Sequence, residues 1–220
     1  MKINSKTAKI LFLCVYLALI IAMSVSCTNT KPEITYGFLQ LVLYQGDSGP
    51  VEHFSFFIIP EDDDGIDNLD ELYLYHDREQ LRWQIKSSEW VSYIQDGSTW
   101  IGTRSISNRG GTLPRGMYRA VLVNKGGERA ERNFTYDGSV RFPFPALEIN
   151  EGNYTARSEW PANSLICYDR SGSYVSTVPL PSLSGEVSQL GLPSNVISVA
   201  LWSEDEANLC SALTNVVSVN

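Results

Sequence analysis

The chain has 220 residues, with 17 basic and 25 acidic side chains, a net charge of −8 and 43 % hydrophobic residues. An acidic exterior without a basic stripe repels phosphate backbones, which excludes nucleic acid as a partner. Two histidines and four cysteines at scattered positions supply no Cys/His spacing for a zinc site.

Lys2, Lys6 and Lys9 precede an unbroken apolar run from Ile10 to Met23, and Ser24-Val25-Ser26 then lead into Cys27. A cationic start, a short greasy core and small residues before a cut make a secretory signal. The run is about 14 residues, too short for a bilayer core that needs ~20. The Ser-Val-Ser-Cys ending resembles the lipobox of bacterial lipoproteins, in the relaxed form of spirochaetes, with Ser24 where leucine is commonest. The resemblance implies that residues 1–26 are removed and that Cys27 is acylated. The protein would then be held by lipid in the cell membrane or outer membrane, periplasmic or surface-exposed. A plain signal peptide followed by an incidental cysteine is the alternative. The mature chain keeps 14 basic and 25 acidic groups, so the acyl chains, not surface charge, must supply membrane attachment.

After a polar tether over 27–32, strand signals follow at short spacing. Ile34–Tyr44 is rich in β-branched and aromatic residues, and Gly46-Asp47-Ser48-Gly49-Pro50 is a turn cluster. Val51–Ile59 reads as a strand buried on both faces. Leu72–His76, Leu81–Ile85, Trp90–Gln95, Thr99–Ile106, Met117–Asn124 and Ala130–Tyr136 complete a first domain over 33–139. That strand density predicts one β-sandwich. Gly116-Met117-Tyr118, followed by a strand and a Gly-Gly hairpin, resembles the closing hairpin of bacterial Ig-like domains.

Arg141-Phe142-Pro143-Phe144-Pro145 predicts a stiff linker over 140–146. In 147–220 the expected strands are Leu165–Asp169, Tyr174–Val178, Val187–Leu190 and Val196–Trp202. The end, with acidic Glu204–Asn208, then Ser211, Asn215 and Val216–Val219, resembles the last hairpin of fibronectin type III domains. A capping box at Ser203-Glu204-Asp205-Glu206 opening a short helix through Leu213 is the competing reading. The fold expected is all-β: tandem antiparallel β-sandwiches after a signal peptide, Ig-like and then a smaller fibronectin type III-like unit.

Chemistry-bearing residues are few. The acidic stretch Glu61 to Glu71 resembles the Asp/Gly turns of extracellular β-domains, which implies weak calcium binding by Asp62, Asp64, Asp67 and Glu71; a solvated turn is the alternative. Cys167 and Cys210 are a candidate disulfide, or two separate buried thiols. The five tryptophans read as core rather than as a sugar platform. His53 and His76 read as half-exposed strand residues. The basic, glycine-rich loop Arg104 to Arg115 is a candidate contact loop. Neither Gly-x-Ser-x-Gly nor His-Glu-x-x-His occurs, so no enzyme is expected. The expected function is that of an exported, lipid-anchored, non-catalytic binding or structural module with protein partners in the envelope. A carbohydrate-binding accessory protein or hydrolase subunit is the second reading.

Overall fold

A computed structural model describes residues 30–219. The expected signal peptide and Cys27 lie outside the described residues. The first half opens with a long hairpin, β1 (Glu33–Gly46) and β2 (Gly49–Glu61), closed by Asp47-Ser48. Gly49 holds φ at 124° next to this two-residue loop, a conformation that costs glycine little. β5 (Val91–Gln95) and β6 (Ser98–Ser107) extend the sheet beyond β2, in the order β1-β2-β6-β5. Across from them β3 (Leu69–His76), β4 (Leu81–Lys86), β7 (Gly116–Asn124) and β8 (Arg129–Tyr136) form a four-stranded sheet, ordered β4-β3-β7-β8. Period-two alternation sends Leu39, Leu41, Phe54, Phe56 and Ile58 inward against Leu72, Leu74, Tyr118, Ala120 and Leu122. The buried Tyr118 hydroxyl donates to the Pro114 carbonyl at 2.6 Å, a tyrosine-corner arrangement that fixes the entry to β7.

The second half packs a three-stranded sheet against the other end of the main one. β9 (Ala146–Asn150), β10 (Asn153–Arg157) and β13 (Ser184–Glu186) form the small sheet, in the order β13-β10-β9. β11 (Ala162–Tyr168), β12 (Tyr174–Pro179), β14 (Ser198–Asp205), β15 (Cys210–Leu213) and β16 (Val217–Ser218) join the main sheet. Leu147, Tyr154, Leu165, Cys167, Val199 and Leu201 make a second core. Val187–Leu190, expected as a strand, is instead a 3₁₀ turn that ends at left-handed Gly191, and it buries only Leu190. The helix through Leu213 does not form either. Glu206–Asn208 is a three-residue 3₁₀ turn inside the β14–β15 hairpin.

One sheet runs through both halves. β15 pairs antiparallel with β14 and parallel with β1, with Leu41 opposite Cys210 and Leu43 opposite Ala212. The result is a nine-stranded sheet whose path is β12-β11-β14-β15-β1-β2-β6-β5, with β16 beside β14. Directly paired residues point to the same face, so the first core and the second, through Leu201 and Val199, lie on the same side of this sheet. The sequence led to two sandwiches with antiparallel sheets; the fold has two cores, one shared sheet and one parallel pair. Segment 140–146, expected as a stiff linker, packs against the fold. Phe142 and Phe144 pack on the first core, and buried Trp160 donates its indole N–H to the Pro143 carbonyl at 2.8 Å.

Candidate functional site

The residues singled out in the sequence do not gather into one site. Asp62 works as a turn-former: its Oδ1 accepts the Asp64 amide at 2.8 Å, and the Asn68 and Asn124 amides also donate to its carboxylate. Glu71 faces away along β3, accepting from the Tyr73 hydroxyl and the Gln84 amide, each at 2.6 Å. Among the described residues no three His, Cys, Asp or Glu side chains converge to hold a metal. Asp62, Asp64, Asp67 and Glu71 are not gathered into the weak calcium site that the resemblance implied.

The Cys167–Cys210 bridge is likewise absent, and both thiols are free and buried. Cys167 is paired with Val199, and Cys210 with Asp205 of the same strand. Six residues of extended chain separate those partners by ~20 Å, against the ~7 Å limit for a disulfide. Each thiol belongs to a different core.

His76 is buried, where the sequence suggested half-exposure. Its Nδ1 accepts the Glu79 amide at 3.3 Å and its Nε2 lies 3.2 Å from the Arg115 carbonyl, so the Nε2–H tautomer satisfies both contacts. His53 is half-buried against the Tyr44 ring, 4.9 Å away, and burial lowers its pKa. The Arg104–Arg115 loop is tied down. Arg115 makes a two-pronged pair with Glu52 at 2.8 and 2.9 Å and donates to the Gly138 carbonyl, while Glu52 also accepts the Leu113 amide at 2.7 Å.

The surface that does gather chemistry is the outer face of the main sheet, opposite the cores. The alternation that buries Leu39, Leu41 and Leu43 turns Tyr36, Phe38, Gln40, Val42 and Tyr44 outward on β1, and Phe57, Ser55 and His53 beside them on β2. Trp100 of β6 and Tyr93 of β5 continue this face. The rings touch in sequence. Tyr36 meets Trp100 at 5.8 Å, Phe38 meets Trp100 at 5.5 Å, Phe57 meets Tyr93 at 5.3 Å, and Tyr93 and Trp100 lie parallel at 6.1 Å. Phe57 is covered by its neighbours, whereas Tyr36 is 54 % exposed and Phe38, Tyr93 and Trp100 are half-buried.

Charge is thin here. Away from the Glu33–Glu61 end of the ladder, the outward positions of β1, β2, β6, β14 and β15 hold one carboxylate, Glu204. Gln40 donates to it at 2.9 Å, and the Trp202 indole reaches it at 3.4 Å. The Arg104 guanidinium acts on the hydroxyls of Tyr44, Tyr93 and Tyr168; burial raises the pKa of all three and Arg104 partly offsets the rise. The tryptophans thus divide. Trp160 is buried and Trp83 and Trp90 pack on the first core, while Trp100 and Trp202 belong to the outer face. The sequence reading missed this face because both sides of β1 and β2 are apolar, which hides which side is open.

The geometry defines an all-β protein with an open aromatic sheet face. No protein-family model matches the chain, and no curated protein matches it. Among solved structures it is similar to Tp47, the 47-kilodalton lipoprotein of Treponema pallidum, at 14 % identity and a TM-score of 0.44, over 87 % of this chain and 52 % of that one. It is also similar to dimeric latent PorU from Porphyromonas gingivalis, at 15 % identity and a TM-score of 0.32, over 86 % of this chain and 20 % of that one. The chain spans about half the length of the first and a fifth of the second. Among the described residues no helix is long and apolar enough to cross a membrane.

Proposed function

We propose that this is an exported, lipid-anchored envelope protein that acts as a non-catalytic binding module, taking a protein partner on the outer face of its main sheet. The observation that carries the reading is the connected aromatic surface of Tyr36, Phe38, Tyr93 and Trp100 beside Arg104. Tyr, Trp and Arg are the residue types that anchor protein interfaces, and interface centres are depleted of carboxylates. An otherwise acidic chain that leaves one carboxylate, Glu204, on a broad face has a surface suited to that use. The anchor rests on the signal layout ending at Cys27.

The test is capture from detergent-solubilised envelopes. The double variant Tyr93→Ser/Trp100→Ser should lose a partner that the wild type retains, whereas Tyr73→Ser on the opposite sheet should keep it. Equal capture by all three would refute the assignment of this face. Fatty-acid labelling of wild type but not of Cys27→Ala tests the anchor. The parallel Tyr93 and Trp100 rings, 2° apart in plane, support the second reading, a carbohydrate-binding accessory role, since sugar C–H faces stack on aromatic faces. Retention by immobilised neutral polysaccharide, lost in the same double variant, would favour it.

A further inference from the structure

Apart from the two-residue β16 beside β14, the described sheets end in six edge strands, and five of them carry a device against pairing. Edge strands template further strands unless charge, proline or a bulge interferes. In the four-stranded sheet, β4 carries Arg82 and Lys86, and β8 carries Arg129, Glu131 and Arg132. In the small sheet, β9 holds Glu148 and the three-residue β13 holds Glu186. At one end of the main sheet, β12 closes with Pro179, and its register against β11 breaks between Cys167 and Tyr168.

β5, at the other end, has none of these. Val91-Ser92-Tyr93-Ile94-Gln95 contains no charge and no proline, and all five residues pair with β6 in unbroken register. Ile94 is 78 % exposed and Val91 42 % exposed, large values for apolar side chains on a regular strand. Tyr93 brings the aromatic face to this edge through its parallel contact with Trp100.

We propose that β5 pairs antiparallel with β5 of a second copy of this chain, giving a two-fold dimer with one sheet running through both protomers. Symmetry and charge select the second copy as occupant. A two-fold centred on Tyr93 sets Val91 opposite Gln95 and Ser92 opposite Ile94, so every residue of the strand has a partner. Centring on Ser92 or Ile94 leaves strand residues unpaired. The flanking carboxylates Glu89 and Asp96 then fall opposite Gly97 and Trp90, so no like charges face each other across the pair. The two Tyr93 rings meet at the axis on the aromatic face and link the two Trp100 rings into one surface. The pairing uses the edge of the sheet and does not depend on what its face binds.

Size-exclusion chromatography with light scattering on the full chain, in mild detergent, tests the idea. Wild type should carry the protein mass of two copies and Ile94→Lys that of one, with unchanged circular dichroism and a melting temperature that no longer depends on protein concentration. Position 94 is exposed enough to accept lysine in a monomer; Gln95→Lys serves the same purpose should Ile94→Lys misfold. Under mild oxidation Tyr93→Cys should form a covalent dimer, while Ser48→Cys at the far hairpin should not. A monomeric wild type overturns the proposal, as does a dimer that the folded lysine variant leaves intact. A dimer in which Tyr93→Cys fails to cross-link overturns the two-fold register.

Discussion

Cys210 shows how strongly packing changes the chemistry of a single residue. Burial pushes its thiol pKa up to about 11, with Arg115 opposing the rise and Asp205 adding to it. A group whose folded pKa lies above its unfolded value of 9.0 contributes stability that is complete below pH 9 and is lost as pH rises toward 11. Burial also raises the hydroxyls of Tyr118 and Tyr136 well above the ordinary 10.0, and so steepens the loss beyond pH 10. The melting temperature should therefore hold up to pH ~8.5 and fall between pH 9 and 11, with a shallower initial fall in Cys210→Ala. Peptide mapping after thiol labelling at pH 8 should find Cys167 and Cys210 modified only once the chain is unfolded. Rapid labelling of either in the native state would contradict their burial.

At the scale of the element, β6 approaches β2 more closely than any side chain would permit. A Cβ on Gly102 would sit 2.0 Å from the Phe56 carbonyl oxygen and 2.7 Å from the Phe57 Cα, next to the register break between Phe54 and Phe56. Gly102→Ala should cost about 1–3 kcal/mol, the range for overpacking a close contact, read as a lower urea midpoint; an unchanged midpoint would show that the bulge absorbs the methyl group. The close approach at Gly102 follows the rule that a glycine inside a strand marks a bulge. The eight strands of the first half were legible in the sequence, where apolar alternation and glycine turns agree. β9 and β10 were not. Their inward residues reduce to Leu147, Tyr154 and Ala156 among polar neighbours, and the sharp turn at Glu151-Gly152, both at positive φ, lacks flanking apolar runs. Nor does local pattern encode the pairing of β1 with β15, because a parallel pair leaves no turn residue to mark it.

Across the whole molecule, the shared sheet couples two cores that have few other reasons to unfold together. Trp160, from the second half of the chain, packs in the first core, as do Cys210 and Ala212. Leu201→Ala in the second core and Leu74→Ala in the first should each lower one common transition, by about 2–5 kcal/mol. Far-UV circular dichroism and tryptophan fluorescence should coincide in both variants. Two resolved transitions, with Leu201→Ala moving only one, would show that the cores are separable.

The place of β15 also bears on how the chain is made. β1 is the first of the described strands in chain order, and the strand that closes its outer flank begins only at Cys210. That flank of β1 therefore stays unpaired until the far end of the described chain has joined the fold. A stop codon just before Cys210 would remove only β15 and β16 of the described strands, yet it would leave the main sheet open at its middle rather than at its end. Every truncated product would then display the Leu41–Tyr44 backbone as a template for aggregation.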